Sequence, residues 1–190
     1  NQGRVGASSG PSAARTALSN ICCSEDFVFF DVGDVTCKGE QLALTQQNTA
    51  DEITRILKQN GRPFVIGGGH EIGWAGYLGI QQFLQQQNKN TTLGILNFDA
   101  HFDLRNPEPM ASSGTPFRQA QQWCAQNDQS FNYMVAGLNP SANTDALFAF
   151  AYDNAVQWIQ DTDCHFGNLS PIKQQLSDWL ETIDALYVTM

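Results

Sequence analysis

The chain has 190 residues, 42% of them hydrophobic and 15% charged, with a formal net charge of −9 at pH 7. That composition supports one ordinary hydrophobic core and excludes a disordered or fibrous chain. With no basic stripe to neutralise phosphates, neither nucleic acid nor an anionic membrane is an expected partner. No apolar run approaches the roughly 20 residues that span a bilayer, and no signal-peptide pattern opens the chain, so the expected location is cytoplasmic.

In chain order, "FVFFDVGDV" (27–35) is a β-branched and aromatic run that predicts a strand. The segment 40–60, with Leu42, Leu44, Ile53, Ile56 and Leu57 before an "NGRP" stop, predicts a helix. "PFVIGGG" (63–69) predicts a short buried strand running into glycines, followed by an amphipathic helix through Ile72, Ala75, Leu78, Ile80, Phe83 and Leu84. "TTLGILNF" (91–98) is a third apolar strand. Thr115-Pro116 offers an N-cap and a first-turn proline for a helix to about Ala125. "FNYMVAGL" (131–138) predicts a strand and Ser141 to Ala151 a helix. Ser170-Pro171 begins another helix, with Ile172, Leu176, Trp179 and Leu180 on one face, and "IDALYVTM" (183–190) is the last strand. Apolar strands alternating with helices predict an α/β fold whose mostly parallel sheet is covered on both faces. Ligands of such sheets sit beyond the carboxyl ends of the strands.

Residues of metal-ligand type fall at those ends. His70 follows Gly67-Gly68-Gly69, and Asp99, His101 and Asp103 alternate where "LGILNF" stops, in a chain with only three histidines. Alternate residues of an extended segment point the same way, so the three would converge. Mixed carboxylate and imidazole donors suit a borderline divalent ion, manganese first, with magnesium, zinc and nickel as the other readings. The glycines match no nucleotide-binding signature and read instead as a sharp turn that aims His70. Cys22, Cys23, Cys37, Cys124 and Cys164 have no CxxC spacing and read as ordinary reduced thiols.

"GGGHE" (67–71) followed by "DAHFD" (99–103) resembles the first two metal motifs of the ureohydrolases, the arginase and agmatinase family. "DVGDV" (31–35) and Gly10-Pro11 with Arg15 look like that family too, so the resemblance covers essentially the whole chain. The opening "NQGRVGA", Glu71, Arg105 and the loop "SSGTPF" (112–117) are most similar to its branch that hydrolyses N-formimidoyl-L-glutamate to glutamate and formamide in histidine degradation. The resemblance implies the three-layer arginase-like fold and two manganese ions, one held by His70, Asp99 and Asp103 and the other by His101 and the bridging Asp99. It implies hydrolysis of a planar amidine carbon by a metal-bound hydroxide, with no other catalytic group assigned. The histidine that arginases carry in the 112–117 loop is absent, which leaves the proton donor to the leaving amine unassigned.

Arg105 is the expected reader of an acidic small-molecule substrate, since a guanidinium can hold a carboxylate bidentately and the chain is otherwise acidic. Ser112 and Ser113 are expected to add hydrogen bonds to it. The family also implies a homo-oligomer. Its third motif, an Asp-x-Asp at the end of a later strand, is not in these residues, so 1–190 is expected to be a single ureohydrolase-like domain incomplete at both ends. Two other readings stay open: an agmatinase or guanidino-acid hydrolase, which would release urea, and a catalytically silent metal-binding or assembly module.

Overall fold

The computed structural model describes residues 6–21, 28–87 and 91–190. A short 3₁₀ turn leads into α1 (Gly10–Leu18), which has Pro11 in its first turn, where a missing N–H does no harm. There follow α2 (Leu42–Lys58), α3 (Ile72–Gln86), β1 (Leu93–Phe98), α4 (Pro116–Gln126), β2 (Asn132–Leu138), α5 (Asp145–Asp153), β3 (Gln157–Gln160), α6 (Leu169–Leu180) and β4 (Ala185–Thr189). All strand pairs are parallel, in the order β3-β2-β1-β4. The expected α/β class and layered architecture are therefore present.

Strand parity explains the layers. Leu93, Ile95, Tyr133 and Val135 point to one face, where they pack with Tyr77 of α3, Phe117 and Ala120 of α4, and Ala151 of α5. Leu96, Met134, Ala136 and Ile159 point to the other and pack with Trp179, Leu176 and Ile172 of α6. With both faces buried, the central strands β1 and β2 read as nearly continuous apolar runs instead of alternating. The helix α2 forms an outer layer on α3. The approach is close because a Cβ at Gly79 would lie 2.7 Å from the Ala50 carbonyl.

Two expected strands do not form among the described residues. Residues 28–35 and 63–66 carry no ladder, and Phe30 and Phe64 are 82% and 81% exposed; residue 27 lies outside the described residues. An apolar run becomes a strand only where it pairs its N–H and C=O groups with a neighbour, and neither run joins the order β3-β2-β1-β4. Conversely, β3 and α1 were not anticipated. The strand is four residues of "QWIQ", too short and too polar to declare itself, and it forms because β2 offers it an edge.

The order of the strands places the site. The chain runs outward from β1 to β2 to β3, then α6 crosses the opposite face and β4 pairs on the far side of β1. The direction of winding thus reverses between β1 and β4, and the carboxyl ends of two such strands are where sheets of this kind hold their ligands.

Candidate metal centre

His70 stands on the turn before α3. The Gly73 N–H donates to its carbonyl (2.8 Å), and Gln46 Nε2 donates to the carbonyl of Glu71 (2.8 Å). The chain bends at Gly68 and Gly69 into the turn that carries His70, as expected, but none of the three glycines needs a positive φ to do so. They permit close approach: a Cβ on Gly67 would lie 2.9 Å from the Ile72 side chain, and Gly68 lies against Ala7 and Ser8. The amino-terminal segment thus packs on the loop that delivers His70. Its helix is tied further by Arg15, 2.6 Å from Asp31 and 2.9 Å from Asp34, which joins two motifs distant in sequence.

Asp99 and Asp103 lie just past β1. Asp99 is fastened by its N–H, which donates to the Ala136 carbonyl at 3.2 Å. Next to that carbonyl, Gly137 takes φ 95°, a left-handed value that lets β2 bulge there. The imidazole Nδ1 of His70 is 2.7 Å from Asp103 Oδ2 and 3.1 Å from Asp99 Oδ2. On its other side, His70 Nε2 is 2.8 Å from the Thr189 hydroxyl at the end of β4. His70, Asp99 and Asp103 each present one ligand atom, and these atoms lie within 4.8 Å of one another. His101 stands outside that trio but beside it, its Nδ1 3.2 Å from Asp99 Oδ1, which also accepts from the His101 N–H at 3.0 Å. The side chain of His101 is 52% exposed.

Electrostatically the cluster calls for a cation. Burial works against a charged imidazole, but its hydrogen bonds to Asp103 and Asp99 outweigh that and raise His70 to a pKa of about 9. Burial pushes Asp99 up, yet its bonds from His70 and the His101 N–H hold it below the usual carboxylate value. For Asp103 burial wins, and its carboxyl is raised even though it touches His70. Without a metal, a proton on His70 therefore offsets part of the negative charge of the two carboxylates. A nitrogen and two carboxylate oxygens converging at this distance are donors of the kind a borderline divalent ion takes, so the residues present fit such an ion.

The proton has a measurable consequence. Because the folded pKa of His70 lies above its ordinary 6.5, its stabilising contribution is complete below pH 6.5 and is lost as pH rises through about 9. The Tm of the metal-free protein is expected to fall by on the order of 5 °C between pH 7 and 9.5. His70→Ala should flatten that slope, and a Tm insensitive to pH in the metal-free parent would contradict the pairing.

The other expected site residues form a second group nearby. The Arg105 N–H donates to the Gly114 carbonyl (2.9 Å), and the Arg105 side chain lies across Gly114, where a Cβ would meet its Cδ at 3.0 Å. No carboxylate pairs with Arg105 among the described residues. Ser112 and Ser113 are half-buried in the same loop. Thr115 does not cap α4 as expected. Its hydroxyl instead turns back on Ser112, accepting from the Ser112 N–H (3.0 Å) and lying 2.9 Å from the Ser112 carbonyl. Sequence reasoning missed Thr189, Phe117, Tyr133 and Asn143, which touch the candidate ligands or the backbone beside them. All four belong to other elements, so no local spacing could have pointed to them.

The arginase family profile matches residues 1–190. The chain is 39% identical over 190 residues to the formimidoylglutamase of Chromobacterium violaceum, covering all of this chain and 60% of that one. To the formimidoylglutamase of Hahella chejuensis it is 38% identical, with 58% of that protein covered. The chain thus spans about three-fifths of the length of these curated relatives. In structure it is similar to the formimidoylglutamase of Bacillus subtilis (TM-score 0.83, 22% identity, 99% of this chain and 60% of that chain). It is also similar to a Trypanosoma cruzi formiminoglutamase solved with Mn²⁺ (TM-score 0.76, 22% identity, 94% of this chain and 60% of that one).

Proposed function

The chain belongs to the arginase family, and on that premise we propose that the protein is a metal-dependent hydrolase of linear amidines whose substrate is N-formimidoyl-L-glutamate. The observation that carries the reading is the placement of Asp99 between two imidazoles, with Oδ2 toward His70 and Oδ1 toward His101. A carboxylate so divided suits a bridge between two ions. His70, Asp99 and Asp103 would hold one, and His101 with Asp99 the other. The end of β4, which the family resemblance makes the source of the remaining ligand pair, lies against His70 through Thr189.

Manganese is the proposed metal, on the donor set and on the ion carried by the Trypanosoma cruzi neighbour. When bound, two such ions supply a water acidified enough to act as a nucleophile at neutral pH. The residues of this chain do the positioning. Thr189 and Phe117 orient the His70 ring, the latter edge-on at 5.5 Å between centroids. Arg105, lacking an acidic partner of its own, would take a substrate carboxylate, with Ser112 and Ser113 beside it. Action in the cytoplasm and assembly into homo-oligomers belong to the same reading. Among the described residues no helix is long and apolar enough to cross a membrane.

The direct test is product analysis. With Mn²⁺, the full-length protein is expected to release formamide from formimidoylglutamate, and little urea from agmatine or arginine. Urea as the main product would move it to the guanidine-hydrolysing branch. Arg105→Ala should raise KM for formimidoylglutamate between tenfold and a hundredfold, the range set by roughly 1.5–3 kcal/mol for a charge-assisted contact, while kcat changes less. An unchanged KM would leave Arg105 as a surface residue only.

A further inference from the structure

Asp103 stands at φ 50°, in the left-handed region where a residue with a Cβ rests only if its flanks hold it. They are held at four points. The Phe102 N–H donates to Asn143 Oδ1 (3.0 Å), and the Phe102 carbonyl accepts from the Tyr133 hydroxyl (2.9 Å). The Asp103 carbonyl accepts from the Phe117 N–H (3.2 Å), and the Arg105 N–H donates to Gly114 (2.9 Å). Two of these four bonds come from side chains.

Tyr133 rises from β2 and is 1% exposed. Its single proton is committed. A carbonyl can only accept, so the hydroxyl must donate to Phe102, and Asn97 Nδ2, 3.1 Å away, must donate into the hydroxyl oxygen. With the amide so turned, the phenol proton has only the Phe102 carbonyl to go to, and Asn97 Oδ1 is left buried without a partner among the described residues, a cost that this orientation carries. The Tyr133 ring also lies 4.6 Å from that of Phe117, whose edge meets His70. Asn143, from the loop between β2 and α5, brackets His101: Oδ1 accepts from Phe102 on one side, and Nδ2 donates to the Ala100 carbonyl on the other (2.9 Å). A further bond from Nδ2 to the Asn139 carbonyl (2.8 Å) anchors it.

We infer that Tyr133 and Asn143 are positioning residues: neither supplies a ligand atom, but between them they impose on residues 99–103 the backbone shape that turns Asp99 and Asp103 toward His70 and sets His101 beside Asp99. The inference rests on the metal reading of this site. A flexible turn would let the two carboxylates spread apart, so losing either clamp weakens ion binding without emptying the core.

The test is Mn²⁺ binding to the full-length protein, read from the electron paramagnetic resonance signal of the free ion. Tyr133→Phe keeps the ring and removes only the hydroxyl; Asn143→Ala removes the second clamp from a less buried place. Each is expected to raise the Mn²⁺ Kd about tenfold, as loss of groups behind metal ligands commonly does, while the circular dichroism of the metal-free protein stays that of the parent. A purely structural role predicts the opposite split, a lower Tm with an unchanged Kd in the folded protein, and overturns the inference. A parent that binds Mn²⁺ while both variants stay within twofold of it overturns this inference alone. A parent that binds none overturns the metal reading and this inference with it. Should Tyr133→Phe not fold, Asn143→Ala decides by itself.

Discussion

Asp99→Ala is expected to lower kcat/KM for formimidoylglutamate by about a thousandfold or more, and thorough chelation of the parent should do the same. Asp99 meets both imidazoles, so its loss separates the two proposed ion sites at once. Metal ions in hydrolytic sites supply several kcal/mol of transition-state stabilisation together with the nucleophile, and about 4 kcal/mol is three powers of ten. Re-addition of Mn²⁺ should restore the chelated parent and leave Asp99→Ala inactive. A variant retaining more than a tenth of the parent activity would sink the bridging role, and full activity after metal stripping would sink the hydrolase reading itself.

Phe117→Ala should destabilise the protein by roughly 3–5 kcal/mol, the usual range for emptying a large aromatic site in a core. The ring is fully buried, lies 4.6 Å from Tyr133, and meets His70 edge-on. Against the 5–15 kcal/mol that holds an ordinary domain together, this is a large fraction. The urea midpoint should fall accordingly, and Phe117→Leu, which refills most of the volume, should recover more than half of the loss. A shift below about 1 kcal/mol would mean that the ring does not fill this space. The substitution also frees His70 on one side, so weaker Mn²⁺ binding should accompany the lost stability.

Much of this was legible in the sequence, and the parts that were not share a cause. The apolar runs at 91–98, 131–138 and 183–190 formed β1, β2 and β4; β1 and β2 are buried on both faces and carry their signal in nearly every residue, and β4 is apolar throughout although Leu186 and Val188 are exposed. The helices beginning near Leu42, Ile72, Pro116 and Leu169 followed from their periodicity and breakers. The equally apolar "FVFF" and "PFVI" did not become strands, since apolar character says only that a segment can be buried. Pairing needs a neighbour, which lies elsewhere in the chain. The expected cap at Thr115 yielded to a closer bond with Ser112, a competition settled by loop geometry.

The same division runs through the site. By itself the sequence determined which residues are chemically able to hold an ion, because His70, Asp99, His101 and Asp103 are ligand types, the last three closely spaced after the apolar run that forms β1, and type and local spacing are properties of the chain alone. Tertiary structure decided that His70 crosses to meet Asp99 and Asp103, that Thr189 seats its far nitrogen, and that Tyr133 and Asn143 clamp the turn. Those contacts span from 29 to 119 positions, and the longest of them depends on β4 folding back beside β1. Side-chain chemistry is local, whereas the angle and distance at which two groups meet are set by the path of the whole backbone between them.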